Sequence, residues 1–523
     1  QAKTQGVSEE KLNVLETQFT PTAQVNEPKL AVQNKSLSLS QKRKKLSEQK
    51  KRKKKATKQN LKVNNPSQQQ LGSLLDYYQK GRLNDAEKLA VSITKEFPKH
   101  QFGWKVLGAV LGATGRKSEA LDANQTAVAL SPKDAAAHSN LGVTLQELGR
   151  LDEALASYTQ ALVLKPDYAE AHSNLGNTLQ ELGRLDEALA SYTQAIALKP
   201  DYELAHYNLG VTLQELGRLD EAEASYTQAI ALKHNYPDAL FNRWHLLFDK
   251  GEFDAALKDS DLDIYVGAKE HSLITLYALG RIEEVYKKIE IHSKMDSENI
   301  GISAFAAFVA ESEKKPTAYN FCPNPIDFIH VSNISSHLED STEFVREVIE
   351  ELHNVKTIWE PSGKATRKGF VTDKKFNLFA SSSGKLAQLK AIIFDEIDAY
   401  YLKFQEESCT YIKKWPSEIS LFGWHIVLKQ QGYNTPHIHP SGWLSGVIYL
   451  KVVPSLGKDE GAIEFSLNGE HYSDLNSPKI VHQPELGDLV FFPSSLHHRT
   501  IPFTTDTDRI IVSFDLMPPN FVG

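Results

Sequence analysis

Residues 171–202 read AHSNLGNTLQELGRLDEALASYTQAIALKPDY, and variants of this stretch recur along the first half of the chain. A glycine marks each copy at intervals of 34 residues, at Gly81, Gly115, Gly149, Gly183, Gly217 and Gly251. An alanine follows each glycine by five residues, at Ala86, Ala120, Ala154, Ala188, Ala222 and Ala256. A proline closes four of the copies, at Pro98, Pro132, Pro166 and Pro200. A fixed period of this length indicates a stack of small repeats rather than a single globular core.

Each recurring position has a physical role in a helix–turn–helix unit. Glycine permits the tight turn between the two helices, alanine lets them approach closely, and proline stops the second helix. The pattern resembles the tetratricopeptide repeat from residue 71 to about residue 260. It then decays, because His234 replaces the expected proline and the next turn glycine, Gly280, follows Gly251 by 29 residues. We therefore predict an all-α tetratricopeptide array over residues 71–300 that ends in a degenerate or capping repeat.

Asparagine recurs on the first helix of four units with the same spacing, at Asn140, Asn174, Asn208 and Asn242. An amide side chain offers an acceptor and two donor hydrogens, so a row of them can bond the backbone of an extended peptide without reading its side chains. The row is similar to the asparagine ladder in the repeat domain of O-linked N-acetylglucosamine transferase. Alternatively, asparagine simply belongs to the repeat consensus. In either case the array predicts a protein or peptide partner, because solenoids bind such partners along their concave surface.

Charge is distributed unevenly along the chain. Residues 1–70 contain 16 Lys and Arg against 5 Asp and Glu, a charge of +11. Since the whole chain carries −7, the remainder carries −18. The run QKRKKLSEQKKRKKKATK at residues 41–58 has no apolar periodicity, which predicts a disordered polybasic arm. This arm is either a solvated tail or a docking segment for an anionic partner, and nothing in it indicates sequence-specific reading of nucleic acid.

Composition narrows the class of protein further. A chain of 523 residues is too long for one core. No stretch approaches the roughly 18 apolar residues of a membrane span, so none is predicted. Cys322 and Cys409 are the only cysteines and lie far from any CxxC spacing, which predicts neither a disulfide framework nor a cysteine-built zinc site. These features favour a cytoplasmic, multidomain protein.

The sequence after the repeats predicts a second kind of fold. The proline-containing residues 301–335 are interpreted as a linker or entry segment, and residues 336–523 as a further domain. Apolar spacing predicts amphipathic helices near residues 342–353 and 386–404. From Ile419 onward the pattern changes to short β-type runs: SLFGWHIVL, WLSGVIYLKVV, GAIEFSL, GDLVFFP and RIIVSFDL. Many short strands with turn residues between them indicate a sandwich or barrel.

Chemically active side chains concentrate on these strands. His437 and His439 stand two residues apart in NTPHIHPSG, so on an extended strand both imidazoles project to one face and can meet one metal ion. His498 follows GDLVFFPSSLH and can close the site from a neighbouring strand, and Arg509 begins RIIVSFDL.

These motifs together resemble the Fe(II)/2-oxoglutarate-dependent oxygenases, over about residues 320–523. WEPSGKATRKGFVTDKKFNLF resembles the leading segment of a bacterial group that often follows tetratricopeptide repeats. The resemblance implies a double-stranded β-helix (jelly-roll) with flanking helices, and Fe(II) with 2-oxoglutarate as cosubstrate. It assigns His437 as the first metal ligand, His498 as the distal histidine, and Arg509 as the partner of the far carboxylate of 2-oxoglutarate. Ser513, on the same strand face as Arg509, and Tyr449 are expected to assist in binding the cosubstrate.

One position departs from the family pattern. The usual site has Asp or Glu two residues after the first histidine, where this chain has His439. Three interpretations stay open: His439 completes a three-histidine face, it turns outward and leaves two ligands, or Glu464 supplies the carboxylate. His425, His482 and His497 are interpreted as structural.

The sequence thus predicts a 2-oxoglutarate-dependent dioxygenase that hydroxylates a protein or peptide side chain presented by the repeats. The alternatives are a cupin-like metal protein, since Gly487, Pro493 and His498 fit the second cupin motif, and an inactive repeat scaffold for protein–protein interaction. Arg509 separates these hypotheses, because only a cosubstrate site needs a buried arginine for carboxylate pairing.

Overall fold

The computed structural model describes residues 65–361, 365–373, 376–380 and 383–518. The polybasic run at residues 41–58 lies outside the described residues, as do parts of the segment WEPSGKATRKGFVTDKKFNLF. The chain forms two compact units, the first ending at Asn242 and the second beginning at Arg243.

The first unit is a helical tetratricopeptide solenoid, which confirms the predicted fold of the repeats. Its helices are α1 (Gln68–Gln79), α2 (Leu83–Glu96), α3 (Gln101–Ala113), α4 (Lys117–Leu130), α5 (Ala135–Glu147), α6 (Leu151–Leu164), α7 (Ala169–Glu181), α8 (Leu185–Leu198), α9 (Glu203–Glu215) and α10 (Leu219–Leu232). The boundary between the units falls within α11 (Pro237–Asp249).

The 34-residue period corresponds to one helix pair and its two turns. Gly183, between α7 and α8, has φ of +72°, and the equivalent glycines have φ between +68° and +80°. Residues that have a side chain rarely adopt this left-handed backbone conformation, which is why glycine recurs there. Five residues later, Ala188 is fully buried, as are its counterparts in the other repeats.

A second glycine of each central repeat makes room for a tyrosine of the following helix. At Gly142, Gly176 and Gly210 an added Cβ would lie 2.6–2.7 Å from the rings of Tyr158, Tyr192 and Tyr226 respectively. These tyrosines are fully buried. The helix pairs therefore pack through a ring seated against bare backbone, and this contact repeats with the period of the sequence.

The second unit contains helices that directly follow the clear repeats and further helices that lie between its strands. They are α12 (Phe253–Ser260), α13 (Ala268–Ala278), α14 (Ile282–Met295), α15 (Ile300–Ser312), α16 (Ser341–Leu352), α17 (Gly384–Phe404) and α18 (Thr410–Lys413). The helices predicted near residues 342–353 and 386–404 correspond to α16 and α17.

Residues 301–335, interpreted as a linker or ordered entry segment, contain two regular elements. Helix α15 occupies most of the first half of this segment, and every residue of α15 from Ile300 to Val309 is buried. Phe305 and Phe308 on α15 pack against Tyr472, with ring centroids 5.0 and 4.7 Å apart. The second half contains an edge strand of the large sheet, described below. Prolines in this segment follow α15 rather than interrupt it, and the run ISAFAAFVA is a buried helix.

The described residues of the second unit also form ten strands in two antiparallel sheets. They are β1 (His330–Asn333), β2 (Thr357–Trp359), β3 (Thr366–Thr372), β4 (Ser420–Asn434), β5 (Leu444–Lys451), β6 (Ile463–Ser466), β7 (Lys479–His482), β8 (Asp488–Pro493), β9 (His497–Thr500) and β10 (Arg509–Met517). The large sheet has the order β1-β8-β5-β10-β4-β3-β2, and the small sheet has the order β7-β6-β9.

The connections between the sheets position the site. Along the chain from β4 to β10, strands pass back and forth between the large and the small sheet, and a bridge between His437 and His498 joins the segment after β4 to β9. This alternation is compatible with the expected double-stranded β-helix. Among the described residues, no helix has the length and apolarity that a membrane crossing requires.

The tyrosine–glycine contact predicts the effect of a single methyl group in the solenoid. Gly176→Ala should lower the free energy of unfolding by about 1–2 kcal/mol, because overpacking against Tyr192 outweighs the gain in helix propensity. Gly72→Ala is the control, since Gly72 is exposed on α1 with nothing within 4 Å of the added carbon. Thermal unfolding followed by far-UV circular dichroism should show a lower Tm for the first variant and an equal or higher Tm for the second. Equal Tm values for both would contradict the proposed contact.

Candidate metal centre and cosubstrate pocket

Three histidines from two segments of the chain meet in the second unit. His437 lies just after β4 and pairs with His498 on β9 through two backbone hydrogen bonds, of 3.2 and 3.1 Å. His439 is held by a hydrogen bond from its backbone N–H to the carbonyl of Ser494, 3.0 Å long. One ring nitrogen from each histidine lies within 4.8 Å of the others, a geometry that can hold one metal ion.

Each histidine places its Nδ1 against an acceptor. For His437 the acceptor is the Thr435 carbonyl at 2.7 Å, and for His498 the Leu496 carbonyl at 3.2 Å. For His439 it is the Asp515 carboxylate at 2.6 Å. A proton on Nδ1 satisfies each contact and leaves Nε2 as the ligand atom.

Burial supports the neutral form of the distal histidine. The pKa of His498 lies well below its ordinary value because the ring is buried, and the neighbouring His437 and His439 lower it further. A neutral imidazole has the lone pair that metal coordination requires.

The histidines line a cavity of about 760 Å³ whose long wall is one face of β10. Because side chains alternate along a strand, every second residue of β10 faces this cavity. These residues are Arg509, Ile511, Ser513, Asp515 and Met517. The structure therefore brings the predicted residues Arg509, Ser513 and Tyr449 into one cavity with the three histidines.

Arg509 is a buried cation without a carboxylate partner in the described part of the chain. Only 1% of its surface is exposed, and its Nη1 donates to the Thr500 hydroxyl at 2.9 Å. Its guanidinium lies 5.0 Å from the centre of the Tyr449 ring. The Arg509 Nε and the Tyr449 hydroxyl both lack a well-formed hydrogen bond to any described residue. A buried charge is costly unless it is paired, so this end of the cavity fits an anionic group.

Burial also acts on the ionisation of this pair. It raises the pKa of Tyr449, and the adjacent positive charge of Arg509 opposes that rise. The phenol therefore keeps its proton near neutral pH and can donate a hydrogen bond to a carboxylate.

Comparison with protein families identifies two regions of the chain. A model described as "Putative 2OG-Fe(II) oxygenase" matches residues 423–515, which include the three histidines and Arg509. Tetratricopeptide-repeat models match residues 73–135, 123–156, 145–183, 176–217 and 204–236.

The chain carries tetratricopeptide repeats and a domain of the 2OG-Fe(II) oxygenase family.

Several solved structures are similar to part of this chain. A thermophilic tetratricopeptide-repeat protein of Thermus thermophilus is 28% identical, over 34% of this chain and 98% of its own, with a TM-score of 0.31. PilF of Pseudomonas aeruginosa is 20% identical, over 40% and 97%, with a TM-score of 0.34. YrrB, described as a TPR protein with an unusual peptide-binding site, is 22% identical, over 36% and 96%, with a TM-score of 0.30. A search of curated proteins gives no match.

The geometry of the oxygenase-family domain bears on the three interpretations of its missing carboxylate. His439 faces the other two histidines rather than turning outward. Glu464 on β6 does not reach the cluster, so the hypothesis that it supplies the carboxylate is wrong. It pairs across the sheet with Arg499, with Nε–Oε1 and Nη2–Oε2 distances of 2.9 and 3.0 Å. Both side chains lie on the face opposite that of His498 and its strand partner Phe465.

Sequence analysis missed Asp515, which holds His439 in this domain. Ser445 strengthens the contact, because its hydroxyl donates to Asp515 at 2.7 Å and lies 2.8 Å from the Ser494 hydroxyl. The strand period contained a signal for Asp515, since it lies on the same face of β10 as Arg509 and Ser513. Another missed residue is Asn434, which lines the cavity with its amide oxygen unpartnered among the described residues.

The other histidines of the domain have separate partners. His425 Nδ1 lies 2.9 Å from the Thr372 hydroxyl, and His482 Nε2 lies 3.0 Å from Asp488. His497 packs edge-on against Tyr472, and burial lowers its pKa to about 4. These three residues do not line the cavity.

The four asparagines of the predicted ladder are half-buried on the first helices of their repeats. Asn208 donates to Asn177 at 2.8 Å, and Asn242 donates to the Tyr207 hydroxyl at 3.3 Å. The side chains of Asn140 and Asn174 form no hydrogen bond with other residues in the described ranges. The first half of the row is thus the part that has its hydrogen-bonding groups available.

Two adjacent histidines provide a matched test of the metal centre. Fe(II) binding under anaerobic conditions should be lost in His498→Ala, whose ring faces the cluster, and retained in His497→Ala, whose ring faces Tyr472. The first loss should exceed the roughly 10- to 100-fold that an outer hydrogen-bond partner contributes to metal affinity. Both rings are buried, so the folding penalties are comparable. Similar affinities for the two variants, measured by competition with a chromophoric chelator, would remove His498 from the site.

Proposed function

We propose that this chain is an Fe(II)- and 2-oxoglutarate-dependent dioxygenase that hydroxylates a protein or peptide side chain presented by its tetratricopeptide repeats. The observation that carries the proposal is Arg509, a buried cation in the same cavity as the three-histidine cluster. A cation and a metal face in one cavity match a ligand with a carboxylate at one end and metal-binding oxygens at the other. 2-Oxoglutarate has both.

Each residue of the cavity has a defined part in this proposal. His437, His439 and His498 would hold Fe(II), and Arg509 would pair with the far carboxylate of 2-oxoglutarate, with Tyr449 as a second donor. Fe(II) with 2-oxoglutarate supplies oxygen activation coupled to decarboxylation of the keto acid to succinate. The chain itself orients the ligands and limits access of water through the apolar walls of the cavity, which include Trp424, Ile426 and Ile511.

Arg509 also argues against the two alternatives. A cupin-like metal protein has no use for a buried arginine beside its metal. An inactive scaffold would gain stability by replacing an unpaired buried cation with an apolar side chain. Retention of Arg509 with Tyr449 beside it favours a functioning cosubstrate site.

The repeats support a peptide as the substrate. Asn140 and Asn174 have their amides available, and an amide can bond a peptide N–H and a peptide carbonyl at once. We propose that an extended segment of the substrate protein lies along this row and is held through its backbone.

Two further proposals concern the cellular location of the protein and the partner of its N-terminal arm. The low cysteine content favours the cytoplasm, and both cysteines are buried as free thiols. The charge of +11 on residues 1–70 favours an anionic partner for that arm.

A matched pair of arginines tests the cosubstrate site. Anaerobic addition of 2-oxoglutarate to the Fe(II)-loaded wild type should produce the weak visible charge-transfer band of the chelate. Arg509→Ala should raise the 2-oxoglutarate concentration for half-maximal band at least about tenfold, since a charge-assisted bidentate pair is worth roughly 1.5–3 kcal/mol. Arg499→Ala should leave it unchanged, because Arg499 pairs with Glu464 on the opposite face. Absence of the band in a wild type that binds Fe(II) would rule out the 2-oxoglutarate assignment.

A second test addresses the asparagine row. The wild type should enrich a set of peptides from a random display library, and the Asn140→Ala/Asn174→Ala double variant should bind all of them about 5- to 100-fold more weakly. That range corresponds to two hydrogen bonds of about 0.5–1.35 kcal/mol each. Gln194→Ala, on the exposed face of α8, is the control. Losses restricted to a few peptides would indicate side-chain reading and contradict backbone recognition.

A further inference from the structure

The three histidines of the metal face are not equivalent. His437 and His498 direct Nδ1 to neutral backbone carbonyls, whereas His439 directs Nδ1 to a carboxylate, that of Asp515. His439 is also the residue that occupies the position where the family pattern has Asp or Glu. His439, which stands where the family pattern has a charged ligand, therefore directs its Nδ1 to a charged group.

The Asp515–His439 pair is built into the fold. The two side chains are 12% and 11% exposed, and the Nδ1–Oδ1 distance is 2.6 Å. Ser445 and Ser494, both fully buried, complete a chain of hydroxyls that ends on the same carboxylate oxygen. Little water reaches these groups, so the negative charge is weakly screened at the histidine.

Close packing excludes a side chain at the turn beside this pair. A Cβ at Gly442 would lie 2.6 Å from the Ser494 hydroxyl oxygen and 3.1 Å from the Asp515 carboxyl carbon. The segment HPSG therefore folds tightly over β8 and β10, and the backbone bond from His439 to Ser494 fixes it there. This packing sets the position of Asp515 relative to the imidazole.

We propose that Asp515 is a positioning residue that supplies, through His439, the negative charge that the usual site obtains from a carboxylate ligand. This inference rests on the proposed Fe(II) site. Asp515 accepts the Nδ1 proton of His439, fixes Nε2 toward the metal, and makes the imidazole a stronger electron donor. The metal face with Asp515 then carries the same total charge as two histidines and one carboxylate.

The first experiment measures Fe(II) affinity alone, anaerobically and without 2-oxoglutarate, in the full chain. Asp515→Asn keeps the shape and an acceptor oxygen but removes the charge, and it should weaken Fe(II) binding about 10- to 100-fold. Asp488→Asn is the matched control, because Asp488 pairs with His482 in the same domain at 3.0 Å, away from the cavity. It should leave Fe(II) affinity unchanged. Equal Fe(II) affinities for Asp515→Asn and wild type would overturn the inference.

Combining substitutions at His439 and Asp515 distinguishes the proposed charge donation by Asp515 from a purely structural role. His439→Asp places a second carboxylate beside Asp515 and should bind Fe(II) more weakly than wild type. Adding Asp515→Asn to that variant should strengthen binding, so the same substitution has opposite signs in the two backgrounds. If Asp515 only supported the fold, Asp515→Asn would weaken binding in both backgrounds, and that result would overturn the inference.

The visible band of the 2-oxoglutarate chelate gives an independent readout. Loss of negative charge makes the metal less electron-rich, so the band of Asp515→Asn should move to higher energy than that of wild type; an unmoved band would contradict the proposed charge donation. Failure of the wild type to bind Fe(II) would overturn this inference and the proposed function together. Normal Fe(II) and 2-oxoglutarate binding in Asp515→Asn would overturn this inference alone.

Discussion

The pairing of β10 with both of its neighbours is the constraint on which the oxygenase-family domain depends. Residues of this strand pair with β4 on one side and β5 on the other over almost the whole strand. Because side chains alternate, this register places Arg509 and Asp515 on the cavity face and buries Val512, Phe514 and Leu516 on the other. A slip of one residue would exchange the two faces and remove both charges from the cavity. The hydrophobic core on one side of β10 therefore fixes the chemistry on the other side.

The packing of the repeats depends on a steric constraint. A ring such as Tyr192 rests on the backbone of Gly176 in the neighbouring helix, and this contact recurs at each central repeat. Such a contact defines the spacing between helices closely, since interiors are packed without free volume. Asparagines at one position of successive repeats are consequently presented at a regular interval. Regular spacing is the property that backbone recognition of an extended peptide needs, because peptide groups also recur at a fixed distance.

Sequence reasoning succeeded where the signal was local. The period of the glycines predicted the solenoid, and the spacing of His437 and His439 predicted a shared face. Sequence reasoning did not predict the direction of a side chain where that direction depends on the neighbouring strand. Glu464 is a carboxylate close in sequence to the motif, but the register of β6 with β9 directs it to Arg499. Helix α15 was not predicted because several prolines follow it closely. Its continuous apolar composition is nevertheless that of a buried helix. Asp515 could have been found by extending the alternation from Arg509, but its contact with His439 depends on the fold of the HPSG segment.

The two charged side chains on the face of β10 make the two ends of the cavity electrostatically different. Arg509 and Asp515 are six residues apart, which on a strand is about 20 Å. The cation has no anionic partner in the described chain, whereas the anion is already bound to His439. A dicarboxylate is therefore attracted to the Arg509 end and repelled from the Asp515 end, and a metal ion experiences the reverse. Under the proposed function, this opposition would orient 2-oxoglutarate, with one carboxylate at the arginine and the keto acid end toward the histidines. In the same proposal, the Asp515 carboxylate behind His439 would take the place of a carboxylate in direct contact with the metal, and that orientation of the cosubstrate would be preserved.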